Sequence, residues 1–167
     1  PAKKHVNLLG SGTILMQVIK AAEMMEADFG VTSDIWSATS FNELGRDCQD
    51  AARWNRLHPL EEPRVPFVAQ QLGGSKGPFI AATDYMKAFA EQIRPCMPGR
   101  YTVLGTDGFG RSDSRVNLRR FFEVDANHIA AAAMVDLYRD GTITKAALEK
   151  ALAKYEIDGA KPNPRLV

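Results

Sequence analysis

The sequence predicts a single α/β domain built on about five strands. Strand-like and helix-like segments alternate along the chain, which is the pattern of layered α/β folds. In addition, 167 residues with 45% hydrophobic content can bury one real core and are too apolar for disorder.

The first strand is predicted at His5–Leu9, with Val6, Leu8 and Leu9 apolar. Gly10-Ser11-Gly12 turns the chain into a helix from about Thr13 to Asp28, where Ile14, Val18, Ala22 and Met25 recur at helical spacing. Gly30 is placed to end it as a left-handed cap. A second strand follows at Ser33–Ala38. Ser40 and Glu43 then have capping-box spacing for a helix with Leu44, Cys48 and Ala51 on its inner face, stopped at His58-Pro59. Residues Pro59–Pro78 read as a long connection rich in proline and glycine, too apolar at Val65–Val68 to be a simple linker; Phe67 and Val68 could start a short segment. The third strand is Phe79–Ala82, and Asp84 is the expected cap of a helix carrying Met86, Phe89, Ala90 and Ile93. The fourth strand is Tyr101–Leu104. A glycine-rich turn, Gly105–Gly110, leads to a short helix capped by Ser112 or Asp113 and running to about Arg120. Phe121–Val124 is a candidate fifth strand. Two helices close the chain, Ala126–Arg139 and Thr144–Tyr155, with Thr144 capping the second.

Charge and composition exclude several functions. With 21 basic and 20 acidic residues there is no excess positive charge for a nucleic-acid surface. No apolar run is long enough to span a bilayer, and no signal peptide is visible. Cys48 and Cys96 have no close spacing and form neither a disulfide framework nor a zinc site. Each is expected to act as a small apolar side chain, in keeping with a reducing intracellular compartment. The chain begins at Pro1 and enters a strand almost at once, so it is read as a piece of a longer polypeptide.

Chemistry-bearing motifs are sparse. Gly10-Ser11-Gly12 lies between strand and helix, where nucleotide folds bind phosphate, but the third glycine of that fingerprint is replaced by Leu15. A tight strand-to-helix turn is the simpler reading. Gly73–Gly77 lacks the spacing of a phosphate loop. His5, His58 and His128 have no metal-ligand spacing to one another or to a cysteine or carboxylate. Asp107 follows a strand end, where α/β folds place ligands; alternatively it caps its own turn through local amides.

Several segments taken together resemble the homodimeric pyruvate dehydrogenase decarboxylating subunits. They are Ser33–Leu44 (SDIWSATSFNEL), Arg46-Asp47, Ala52–Pro59 (ARWNRLHP), Ser75–Pro78 (SKGP), Ala81–Lys87 (AATDYMK) and Leu104–Ser112 (LGTDGFGRS). The Asp107–Ser112 part is shared more widely with transketolase-like carboxy-terminal domains. The resemblance implies a three-layer α/β/α domain over residues 1–156 with a mostly parallel mixed sheet, and a tail over 157–167. The family's antiparallel edge strand would lie before His5.

The resemblance also implies a full subunit several times longer, with amino-terminal catalytic domains absent from this chain. That subunit oxidatively decarboxylates pyruvate and acetylates lipoyl groups, using thiamine diphosphate and Mg2+ held elsewhere. No catalytic, cofactor-binding or metal residue is carried onto this chain, and neither cofactor is expected on it alone. Its role would be dimerisation and assembly in a cytoplasmic complex. The partners would be a second subunit and the dihydrolipoyl acetyltransferase core, with no nucleic acid and no membrane. Phe67, Asp107, Phe109, Arg111 and Ser112 are the interface candidates. The rival readings are the carboxy-terminal domain of a transketolase or of another thiamine diphosphate 2-oxo acid enzyme, or a stand-alone nucleotide-binding domain.

Overall fold

The computed structural model describes residues 4–167. The strands are β1 (His5–Gly10), β2 (Thr32–Ser37), β3 (Phe79–Ala82) and β4 (Tyr101–Leu104). The helices are α1 (Leu15–Phe29), α2 (Phe41–Leu57), α3 (Phe67–Leu72), α4 (Lys87–Glu91), α5 (Arg115–Phe121), α6 (Ala126–Arg139) and α7 (Lys145–Lys154). The sheet order is β2-β1-β3-β4, and all three pairings are parallel. Leu8 of β1 faces Ile35 on one side and Ile80 on the other.

Period-two alternation divides the strands between two cores. Val6 and Leu8 of β1 and Ile80 and Ala82 of β3 join α1, α6 and α7 in one cluster, around Met25, Ile129 and Met134. Leu9, Phe79, Ala81, Tyr101 and Val103 join α2, α3 and α4 in the other, around Phe41, Leu72 and Ile93. The result is the three-layer α/β/α architecture that the family resemblance implies.

Local signals act where the sequence places them. Gly30 caps α1 at φ 62°. Ser40 accepts from the amide of Glu43, and Thr144 from that of Ala147. Three expectations are corrected. The described sheet has four strands, because α5 runs to Phe121 and Glu123 then turns left-handed at φ 62°. The Val124 amide returns to the Arg119 carbonyl, so Phe121–Val124 closes a helix and pairs with no strand. Ser114, rather than Ser112 or Asp113, caps α5 by accepting from Asn117, while Asp113 binds the Ser114 amide and the Asn117 side chain. Cys48 of α2 is paired with Cys96 in a disulfide, against the expectation of two separate thiols. Packing of α2 on α4 brings their Cα atoms to 6.3 Å, a span that disulfides use. The antiparallel edge strand before His5 lies outside the described residues.

The final segment folds back onto the domain. Lys161 Nζ donates to the Phe121 carbonyl and pairs with Glu123 at 2.9 Å, and Pro164 is buried.

Asp125 caps α6 by accepting from the His128 amide at 3.0 Å and pairs with the His128 ring at 2.6 Å. Burial acts to raise its carboxyl pKa. The bonds from His128, with the charges of His128 and Arg120, outweigh burial and hold it below the ordinary carboxylate value. A depressed folded pKa stabilises above the unfolded value, and that stability is lost as pH falls through the folded one. Asp125→Asn is therefore expected to cost about 1 kcal/mol near pH 7 and much less near pH 3. Urea unfolding of both proteins at the two pH values checks this.

Candidate functional site

The order β2-β1-β3-β4 reverses direction between β1 and β3, so the crevice at their carboxyl ends is where open α/β sheets take ligands. Ser11, after β1, donates to Thr83 Oγ1 at 2.8 Å and closes the floor of this crevice. Gly10 lies so close to α1 that a Cβ there would sit 2.8 Å from the Leu15 Cα. Gly10-Ser11-Gly12 is thus the tight strand-to-helix turn.

Asp84 is turned away from the helix it was expected to cap. Its carboxylate accepts from Thr13 Oγ1 at 3.4 Å, and Met86 holds the cap position of α4 without a side-chain bond. The cap comes from Asp107 instead, whose Oδ1 accepts from the Lys87 amide at 3.0 Å. Asp107 therefore bonds an amide of α4 in place of one in its own turn. Asp107→Ala is expected to lower stability by about 1 kcal/mol, a loss that thermal unfolding would read and that Asp107→Asn would partly restore.

Beyond β4 the Gly105–Gly110 turn borders a cavity of about 370 Å3. Arg111, Arg115, Arg119, Thr13 and Asp84 line it, with Phe109 and Phe122 among its apolar residues. Arg119 donates to Thr13 Oγ1 at 3.3 Å, and the Arg111 guanidinium lies over the Phe121 ring at 4.1 Å.

A second, more apolar groove of about 560 Å3 lies between β2, α2 and α3, lined by Leu9, Trp36, Leu44, Phe67 and Leu72. Phe67 is 57% exposed, and its amide donates to Asp47 Oδ2 at 2.6 Å. Phe109 is 84% exposed. The structure thus brings Phe109 and Arg111 to one cavity, places Phe67 in the other groove, leaves Ser112 exposed, and turns Asp107 to α4. Thr13, Arg115 and Arg119 were missed by sequence reasoning. Their trace in the sequence is the four-residue spacing of Arg111, Arg115 and Arg119, which by itself reads as a solvated face.

The histidines stay apart: His5 pairs with Asp34, His58 stacks on Trp54 and His128 pairs with Asp125. Among the described residues no three His, Cys, Asp or Glu side chains could hold a metal ion. No helix among the described residues is long and apolar enough to cross a membrane.

A model of the transketolase-like TK C-terminal domain matches residues 1–125, and the chain belongs to that family. The chain is 56% identical over 166 residues to the pyruvate dehydrogenase E1 component of Escherichia coli (strain K12), covering 99% of this chain and 18% of that protein. The corresponding protein of Pseudomonas aeruginosa is 54% identical over 164 residues, covering 98% of this chain and 19% of it. That of Cupriavidus necator is 53% identical over 163 residues, covering 98% and 18%. The chain thus spans less than a fifth of the length of these relatives. A solved structure titled split gene transketolase, inactive beta4 tetramer, superposes with a TM-score of 0.53 at 17% identity, covering 81% of this chain and 40% of that one. This likeness shows the fold.

Proposed function

We propose that this chain is the carboxy-terminal scaffold and dimerisation domain of a pyruvate dehydrogenase E1 subunit. The observation that carries this reading is 56% identity across 99% of the chain against only 18% of the relative. The match to pyruvate dehydrogenase E1 components far exceeds the 17% identity to the transketolase structure, which favours the former branch.

In this reading the full-length subunit decarboxylates pyruvate oxidatively and passes the acetyl group to lipoyl groups of an acetyltransferase core. Thiamine diphosphate supplies the carbon chemistry when bound with Mg2+, on domains outside this chain. The subunit would work in the cytoplasm. The present residues hold shape: two cores on either side of one sheet keep the exposed aromatics in fixed positions.

Phe67 and the Phe109–Ser112 tip are the surfaces proposed for subunit contact. Exposed aromatics next to apolar grooves are typical interface anchors. Phe67→Glu with Phe109→Glu in the full-length protein is expected to weaken the homodimer by about tenfold or more. Sedimentation over a dilution series would show the shift toward monomer. A double variant that dimerises like the parent would overturn the assignment of these surfaces.

A further inference from the structure

We propose that the cavity bounded by Arg111, Arg115, Arg119, Thr13 and Asp84 binds a small organic phosphomonoester.

These three arginines line one cavity without an ion pair, whereas the other arginines without one among the described residues, Arg53, Arg56, Arg64 and Arg165, lie outside it. Arg46, Arg94, Arg100, Arg120 and Arg139 each hold a carboxylate. Arg111, Arg115 and Arg119 form no ion pair among the described residues; Arg119 reaches a hydroxyl and Arg111 a ring face. Arg115 and Arg119 are four apart on α5, where like charges repel. Three arginines and a single carboxylate residue, Asp84, line a cavity of about 370 Å3. The excess of positive charge suits a phosphate dianion, and guanidinium groups bind phosphate oxygens in a bidentate fork.

Position and shape agree with the charge. The cavity takes in Thr13 from the turn after β1, Asp84 from the end of β3 and Thr106 from the end of β4, beside the point where strand order reverses. Phe109, Leu118, Phe122 and Val124 give it an apolar wall, which free phosphate would leave unused. The Thr13 hydroxyl is held between Arg119 and Asp84, so one polar contact is already oriented. This site goes beyond the scaffold role, and its Phe109 and Arg111 edge adjoins the surface proposed for subunit contact.

The test uses the full-length protein saturated with thiamine diphosphate and Mg2+, titrated by calorimetry with phenyl phosphate and separately with inorganic phosphate. The expected result is saturable binding of phenyl phosphate at one site per chain, weaker binding of inorganic phosphate, and about tenfold or more loss of phenyl phosphate affinity in Arg115→Gln/Arg119→Gln. Absence of saturable phenyl phosphate binding, or equal affinity in parent and variant, overturns the proposal. A second readout needs no variant: phenylglyoxal labelling of the parent, mapped by peptide. Phenyl phosphate is expected to protect Arg115 and Arg119, and unchanged labelling of both overturns the site.

Discussion

Gly77→Ala is expected to destabilise the isolated domain by on the order of 4 kcal/mol, the strain of a left-handed residue added to a forced backbone shift. Gly77 has φ 88°, and a Cβ there would stand 2.1 Å from the His5 carbonyl oxygen. That obstacle is backbone of the central strand, so no side-chain rotation relieves it. The neighbouring Pro78 carbonyl accepts from the Asn7 amide, and the Asn7 side chain donates to the Lys76 carbonyl at 2.9 Å. A shift at Gly77 therefore pulls on the entry of β3 into the sheet. Gly74→Ala is the control: nothing lies within 4 Å of its added Cβ, so little change is expected. Urea unfolding of the three proteins measures both outcomes.

Phe79→Ala is expected to cost about 3–5 kcal/mol, the range for removing a fully buried phenyl ring. Phe79 is 1% exposed and opens β3, between Asn7 of β1 and Tyr101 of β4. Its ring belongs to the core of α2, α3 and α4, and the backbone at Gly99 closes over it. Tyr101 in the same core donates its hydroxyl to the Ala90 carbonyl, and burial pushes its pKa up. That core is pinned by a hydrogen bond and cannot collapse freely into the space left. A loss of less than about 1.5 kcal/mol by urea unfolding would mean that the layer around Phe79 repacks.

Most of the scaffold was legible because its determinants are local. The strands beginning at His5, Phe79 and Tyr101 start where runs of apolar residues begin, and α6 has the expected limits because Asp125 and Asp140-Gly141 bound it. Ser40, Thr144 and Gly30 act on amides or carbonyls a few residues away. The misreadings involve partners distant in sequence or competing local geometries. Asp84 and Asp107 each look like a local cap, yet their partners come from Thr13 and Lys87. The Cys48–Cys96 pairing needs α2 packed on α4, which spacing does not encode. Phe121–Val124 has strand composition, but the left-handed Glu123 makes it a helix end.

The candidate site was less legible than the fold. The glycine-rich turn and Asp107 drew attention to the right end of the sheet. The charged lining, however, depends on α5 reaching the turn after β1, where Arg119 bonds Thr13, 106 positions away. Arginine spacing alone reads as a solvated helix face. Only the three-dimensional arrangement shows that these three arginines share one cavity without an ion pair among the described residues.

The central claim is that these residues supply shape and contacts, while chemistry on pyruvate belongs to polypeptide beyond them. It is tested most directly by assaying the isolated 167-residue chain, verified as folded by circular dichroism, with pyruvate, thiamine diphosphate and Mg2+. The expected result is carbon dioxide release no faster than in buffer with the same additions. Sustained turnover by this chain alone would contradict the account.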